Sequence, residues 1–306
     1  MTVSTYSKGP GVPALALAAT LLLGSTTPMQ ADERTYDPEA VAWKKITFRA
    51  AKLIFKTSAD VELSTVSEEA ARAAMVEPSQ GEPMMPDGES MLVTTTNSFL
   101  GRHSLRRLWL DPENGESYQN DVTETGSRTR YKVYRFTDRG VDVIRRYPAN
   151  QDEKGQSIEN WSDVSTDFDA YPREQWQAYD VTEASALFYV ASAAGLRKPG
   201  DVLEIPIYAR EKLSLAVIKA EELTRIRVDY DELSEGSSRT VSGEIDALRL
   251  SASARSLDGE ETPVELIGLE NIELFVDPET GIPLQLTGSV DVIGKVRARL
   301  SAVELR

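Results

Sequence analysis

The sequence predicts a mainly β chain, an antiparallel sheet with one helix packed on it. Two observations carry this. Apolar residues recur at every second position in several separate stretches, the period of a strand with one dry face. Asp-Pro-Glu-x-Gly segments stand where two such stretches must turn back on themselves. One stretch stands out, Asp180 to Gly195, in spacing its apolar residues as a helix does.

The chain of 306 residues opens with an expected export leader: a polar segment with Lys8, an apolar run from Val12 to Leu23, then small residues up to Ala31. That run is about half of the roughly 20 residues a membrane span needs, and Pro13 interrupts it. The expectation is cleavage after Ala31, a periplasmic protein, and a mature chain that does not span the membrane. No cysteine stands at the cut to carry a lipid. Residues 32–306 are expected to form a single domain.

Leu53, Phe55, Thr57, Ala59, Val61 and Leu63 alternate with Lys56, Ser58, Asp60 and Glu62, which predicts a strand. An irregular insert follows over 67–90, short and helical at first (Glu68 to Ala74), then rich in proline and glycine, as a mobile surface loop would be. Asp111, Pro112, Glu113, Asn114 and Gly115 predict a hairpin turn. Proline presets the first central residue, aspartate caps the turn, and glycine supplies its left-handed residue. Calcium binding through Asp111, Glu113, Asn114 and Glu116 is the alternative there, and the internal proline and the missing distal glutamate argue against it.

Residues 148–179 read as a long polar connection pinned by Trp161, Phe168, Tyr171 and Trp176. The helix is expected to begin at Asp180 with Glu183 completing its cap. Ala184, Leu187, Phe188, Ala191 and Ala194 then form one stripe, and Gly195 ends it. Ile226, Val228 and Tyr230, and then Leu248, Leu250, Ala252 and Ala254, alternate with polar partners. Asp277, Pro278, Glu279, Thr280 and Gly281 repeat the earlier turn. The even positions from Leu284 to Ala302 are apolar or small throughout, predicting two strands that meet near Gly294 or one strand bent there.

Composition narrows the chemistry. With 49 acids against 34 bases the net charge is -15, which disfavours nucleic acid and anionic lipid surfaces as partners. Removing the leader takes only Lys8, leaving 33 bases against 49 acids and a net of -16. Zero cysteines exclude disulfides and thiolate catalysis, and the lone His103 excludes any site needing two imidazoles. No nucleophile elbow, phosphate loop, dinucleotide fingerprint or HExxH is present. The four methionines beyond the leader, Met75, Met84, Met85 and Met91, are the one set of soft ligands, and a cover for an apolar patch explains them better than copper. Trp161, Asp163, Asp167, Asp169 and Trp176 mimic a sugar-binding patch, and read better as a loop tacked down by its rings. No cofactor, metal or catalytic residue is assigned.

The helix with Ser185, Ala186, Leu187, Phe188 and Tyr189, followed by Gly200, Asp201 and the strand Val202 to Tyr208, resembles the middle of a bacterial envelope family, domain of unknown function 3108. The tail from Phe275 through Gly281 to Leu286, and then Ile293 to Leu300, resembles that family's end. The likeness runs from Asp180 to Leu305, whereas Ile46 to Pro148 departs from the pattern through the insert after Val66 and the missing early glycine. It implies an exported antiparallel sheet curled into a barrel or half-barrel with a helix at its open end, similar to periplasmic lipoprotein carriers, and no catalytic residues.

Such a curled sheet encloses an apolar interior, and small inward residues (Gly288, Ala252, Ala254, Ala298, Ala302) would leave volume unfilled. The first functional expectation is therefore a non-catalytic module for an acyl chain or hydrophobic protein segment in envelope assembly, its interior lined by Phe55, Leu187, Phe188, Leu250, Leu286, Val290 and Leu300. A solid-core scaffold that binds another envelope protein through edge strands or an acidic face is the second. A glycan or peptide hydrolase is the third.

Overall fold

The alternating stretches become strands, and most pair with the strand next in sequence. The computed structural model describes residues 36–52, 55–99, 101–127, 129–172, 180–209, 211–256, 261–262, 264, 266, 269–290 and 294–306; at 51–52, 55–56, 99, 256 and 261–262 only the backbone is described. The first half contributes β1 (Trp43–Lys52), β2 (Phe55–Val66), β3 (Ser90–Phe99), β4 (Arg102–Leu110), β5 (Ser117–Gly126), β6 (Arg130–Thr137), β7 (Gly140–Tyr147) and β8 (Asp163–Ala170). The second contributes β9 (Thr182–Glu183), β10 (Val202–Ala209), β11 (Lys212–Ser234), β12 (Ser237–Ser256), β13 (Glu261–Thr262), β14 (Glu270–Val276), β15 (Pro283–Val290) and β16 (Gly294–Leu305). Among the described residues three α-helices accompany them: α1 (Glu68–Ala74), α2 (Gln151–Lys154) and α3 (Leu187–Ala193).

All of the strands belong to one 16-stranded sheet, ordered β8-β7-β6-β5-β4-β3-β2-β1-β16-β15-β14-β12-β11-β10-β9, with β13 beside β12. The fold is thus mainly β and antiparallel. It curls because the long hairpin β11–β12, turned at Glu235 and Gly236, bends back until Asp231 to Leu233 pair in parallel with Ala302 to Glu304 of β16. That contact closes a circuit through β11, β12, β14, β15 and β16. At the free end of the sheet β9 reaches β5, where the Ser117 amide donates to the Val181 carbonyl at 3.0 Å.

Helix α3 is buried on every side, and with the inward residues of both halves it forms one core. Its register is later than the sequence predicts. Thr182 and Glu183 pair with Ile207 and Tyr208 as strand β9, a 3-10 turn spans Ala184–Ala186, and the α-helix starts at Leu187. Glu183 caps the turn, its carboxylate accepting from the Ser185 amide at 2.7 Å. Enclosure on all faces, and not a single stripe, is what a short helix rich in Ala, Leu, Phe and Val satisfies best.

The two Asp-Pro-Glu-x-Gly turns share one design and clasp α3 between them. Asp111 Oδ1 accepts from the amides of Glu113 and Asn114 at 2.7 and 3.0 Å, and Asp277 Oδ1 from those of Glu279 and Thr280 at 2.8 and 3.2 Å. Gly115 and Gly281 take φ of 78° and 70°, the left-handed region that a side chain would disfavour. The Tyr189 hydroxyl donates to the Pro112 carbonyl, and Ser192 Oγ donates to the Gly281 carbonyl at 2.9 Å. Trp43 Nε1 donates to the same Ser192 oxygen at 2.9 Å, which ties β1 to the helix.

The insert 67–90 is tied down, contrary to the mobile loop its composition predicts. Arg135, 1% exposed, reaches through from β6 and donates to the carbonyls of Val76 (3.0 Å), Met84 (2.7 Å) and Tyr118 (2.6 Å). Asp142 accepts from the Ser79 amide at 3.0 Å, and Gln119 accepts from the Val76 amide at 2.8 Å. The insert therefore covers the outer face of β5 to β7, where α1 sets Ala71 against Trp109 and Tyr118. The connection 148–179 likewise contains structure, since β8 inside it pairs with β7 along its whole length. Near Gly294 there are two strands, β15 and β16, and Gly294 has φ 71°. The even-position rhythm stops before Ala302: a bulge between Leu300 and Ala302 opposite β1 turns Val303 inward in its place, and Val303 is fully buried.

Candidate functional site

Alternation along each strand sends one set of side chains into the curl, and beside the N-terminal end of α3 that set stops filling the space. A cavity of about 460 Å³ remains there, within the roughly 300–1,000 Å³ usual for small-molecule sites. Its apolar side comes from Phe48 and Ala50 of β1, Ala59 of β2, Val296 and Ala298 of β16, and Val290 of β15. Leu266 and Leu269, which face each other across a short bridge, close that side. Phe48 stacks on Phe188 with ring centroids 5.6 Å apart, so the helix supports the floor from below.

The volume follows from side-chain size on paired rungs. Ala50 stands directly opposite Ala298 across β1 and β16, and Phe48 opposite Ala59 across β1 and β2. Two alanines on one rung reach about a methyl group each into the interior, and Leu286, next on that rung, is packed in the core and does not line the cavity. Further along the same strands Ile46 and Val61 pair, and there the core is packed.

The opposite wall is ionic. Arg106 pairs with Glu183 at 2.6 Å, Arg130 with Glu124 at 2.5 Å, and Lys132 with Glu211 at 2.6 Å, all six residues lining the cavity. Glu211 also accepts from Arg145 at 2.9 Å. Burial works to raise the Glu211 carboxyl, but the hydrogen bonds and charges of Lys132 and Arg145 prevail and hold it below the ordinary carboxylate range. Burial raises the Tyr134 phenol above its usual range, so this ring lines the wall as a neutral group. Arg102 and His103 are exposed lining residues, which places the opening at the start of β4. Arg130 Nε is buried and has no hydrogen-bond partner among the described residues.

Of the interior residues named from the sequence, Val290 lines the cavity. Phe188 lies beneath its floor, and Leu187, Leu250, Leu286 and Leu300 lie in the packed core. The side chain of Phe55 falls outside the described residues. Ala298 is on the cavity wall, whereas Gly288 allows a close crossing, since a Cβ there would meet the Glu270 carbonyl at 2.8 Å. The charged wall was not legible as a site, because two of its three ion pairs join residues far apart in sequence, 77 residues for Arg106 and Glu183 and 79 for Lys132 and Glu211. A faint signal was available in the even positions of β4, where Arg102, Ser104 and Arg106 continue the inward series that Leu108 belongs to.

The alternatives resolve into structure. His103 Nδ1 and Ser98 Oγ lie 2.8 Å apart as a cross-strand pair of β3 and β4, and among the described residues no carboxylate hydrogen-bonds to that imidazole. In the first turn Asp111 spends Oδ1 on two amides and receives the Tyr118 hydroxyl on Oδ2 at 3.2 Å, leaving an aspartate turn in place of a calcium loop. Asp167 pairs with Arg145 at 2.6 Å, Asp169 accepts from the Tyr208 hydroxyl, and Trp161 is buried, so the acid-and-aromatic patch holds β8 in place. Trp176 lies outside the described residues. Met91 is in the main core, and Met85 Sδ accepts from Arg135 at 2.8 Å, so the methionines serve different sites. Among the described residues no group of three or more His, Cys, Asp or Glu side chains is placed to hold a metal ion, and no helix is long and apolar enough to cross a membrane.

No protein-family model and no curated protein matches the chain. Among solved structures it is similar to the crystal structure of a β-barrel-like protein of the domain of unknown function DUF1849 from Brucella abortus, at 8% identity over 87% of this chain and 98% of that one, with a TM-score of 0.38. That is a different domain of unknown function from 3108, the family expected from the sequence and not shown by these comparisons, and at this TM-score the likeness carries no argument about the chain's role.

Proposed function

We propose that the chain is an exported, non-catalytic envelope protein that binds an acyl chain inside its curled sheet. One observation carries the reading: the cavity of about 460 Å³, apolar along β1, β2 and β16 and ionic along β4 to β6. An acyl chain laid on Phe48, Ala50, Val296 and Ala298 leaves water, a gain of about 0.8 kcal/mol per methylene buried. The ion pairs opposite give the wall polarity without a reactive centre. The leader ahead of residue 32 supports a periplasmic location, and the resemblance to an envelope family points the same way.

Native mass spectrometry of protein purified from the cell envelope without detergent tests this. The expected result is a bound mass of acyl-chain size that is lost on delipidation and regained with added lipid. A bare polypeptide mass that also fails to take up added lipid would reject the reading in favour of a solid scaffold that binds another envelope protein.

A further inference from the structure

A second recess, of about 690 Å³, adjoins the cavity and shares Ala50, Thr57 and Ser58 with it. Its distinctive lining is three arginines, Arg49, Arg297 and Arg299. They occupy the outward face of the rungs whose inward face forms the cavity: Arg49 is paired across β1 and β16 with Arg299, next to the rung that pairs Ala50 with Ala298. Arg297 follows two residues before Arg299 on the same face.

Several exposed arginines of the sheet have acidic partners, such as Arg225 with Asp246 at 3.2 Å and Arg239 with Glu232 at 2.6 Å. Arg49, Arg297 and Arg299 have no carboxylate within ion-pair distance among the described residues, although the whole chain carries 49 acids. Like charges on directly opposed positions destabilise a sheet unless something neutralises them. Net charge disfavours anionic partners in general, so a local basic recess beside an apolar cavity is a specific exception to it.

We infer that the ligand is an acidic amphiphile whose anionic head is held by Arg49, Arg297 and Arg299 while its chain occupies the cavity. The inference rests on the acyl-binding function proposed above and adds the charge of the ligand. Guanidinium groups form paired hydrogen bonds with carboxylate and with phosphate alike. Both heads share the required chemistry.

Isothermal titration calorimetry of the full mature chain with decanoate, decyl phosphate and monodecanoylglycerol, repeated on the triple variant Arg49→Gln, Arg297→Gln, Arg299→Gln, tests the point. At least one anion is expected to bind about tenfold or more tightly than the neutral ester, and the triple variant is expected to lose that preference while still binding the ester. Tight binding of decyl phosphate alone identifies a phosphate head, and comparable binding of decanoate identifies the charge itself as the determinant. Equal affinity for anion and ester, or an unchanged preference in the triple variant, overturns the inference and leaves the acyl cavity standing. Failure of all three to bind overturns both. The three side chains are exposed, and a thermal midpoint of the triple variant equal to or above that of the parent confirms that its fold is intact.

Discussion

Replacing Ala298 by phenylalanine separates an open cavity from a packed interior. Ala298 is 5% exposed and would be counted as core by burial alone, yet its methyl borders the cavity of about 460 Å³. Its rung neighbours are Ala50 on β1 and Leu286 on β15, so a ring at 298 grows over one small residue. Ala216 on β11 is the control: it is 0% exposed, lies in the same core and does not line the cavity. Overpacking at such a site costs about 1–3 kcal/mol, and at about 2–4 °C per kcal/mol Ala216→Phe should lower the thermal midpoint by roughly 2–12 °C. Ala298→Phe should stay within about 2 °C of the parent, because the ring enters space that already exists and its burial offsets its ordering. Differential scanning fluorimetry reads the midpoints, and displacement of a fluorescent acyl probe reads occupancy, which Ala298→Phe should abolish. Equal destabilisation by the two substitutions, or undiminished probe binding by Ala298→Phe, would refute the reasoning.

Arg135→Met removes the donors that fasten the insert and leaves the buried Tyr118 carbonyl and the part-buried Val76 carbonyl without that partner; at about 1–3 kcal/mol for an orphaned buried group and less for the part-buried one, a loss of about 2–4 kcal/mol is expected, with new proteolytic cleavage between residues 76 and 90. Asp111→Ala and Asp277→Ala each strip two amide caps from equivalent turns and should cost similar amounts, about 1–2 kcal/mol in urea unfolding, and a cost confined to one of them would show that the two turns do not support α3 equally. Burial, and then the charges of Asp180, Asp111 and Asp87, push the Glu116 carboxyl up to about 8. The folded chain therefore holds a proton there that the unfolded chain has released, so stability falls as pH rises from the ordinary carboxylate range to about 8. Glu116→Gln should remove that slope, gaining on the order of 1–3 kcal/mol over the parent near pH 8, and parallel pH profiles for parent and variant would contradict it.

The fold was legible where physics is local. Period-two alternation placed β1's partner strand β2 and the strands β11, β12, β15 and β16 on the correct face, because a strand with one dry face has no other pattern available. The paired turns at Asp111 and Asp277 were equally plain, since aspartate, proline and glycine each fix a torsion or an amide bond there. What local pattern missed depends on partners brought from afar. Asp180 and Glu183 look like a helix cap, but pairing of Thr182 and Glu183 with Ile207 and Tyr208 makes strand β9 there and delays the helix to Leu187. The proline-rich insert looks mobile until Arg135, about fifty residues on, supplies its hydrogen bonds. The interior residues were chosen as large and apolar, which is the property that packs a core; the cavity instead stands where alanines face each other, and its charged wall joins strands that no short motif connects.

Solution NMR of the methyl-labelled protein with a spin-labelled decanoate tests the central claim most directly. Binding within the curl predicts broadening of the methyl signals of Val290, Val296 and Ala298, with Val141 and Ala71, which belong to other clusters, unaffected. Broadening confined to exposed residues such as Val164 and Leu223, or none at saturating ligand, would contradict the account.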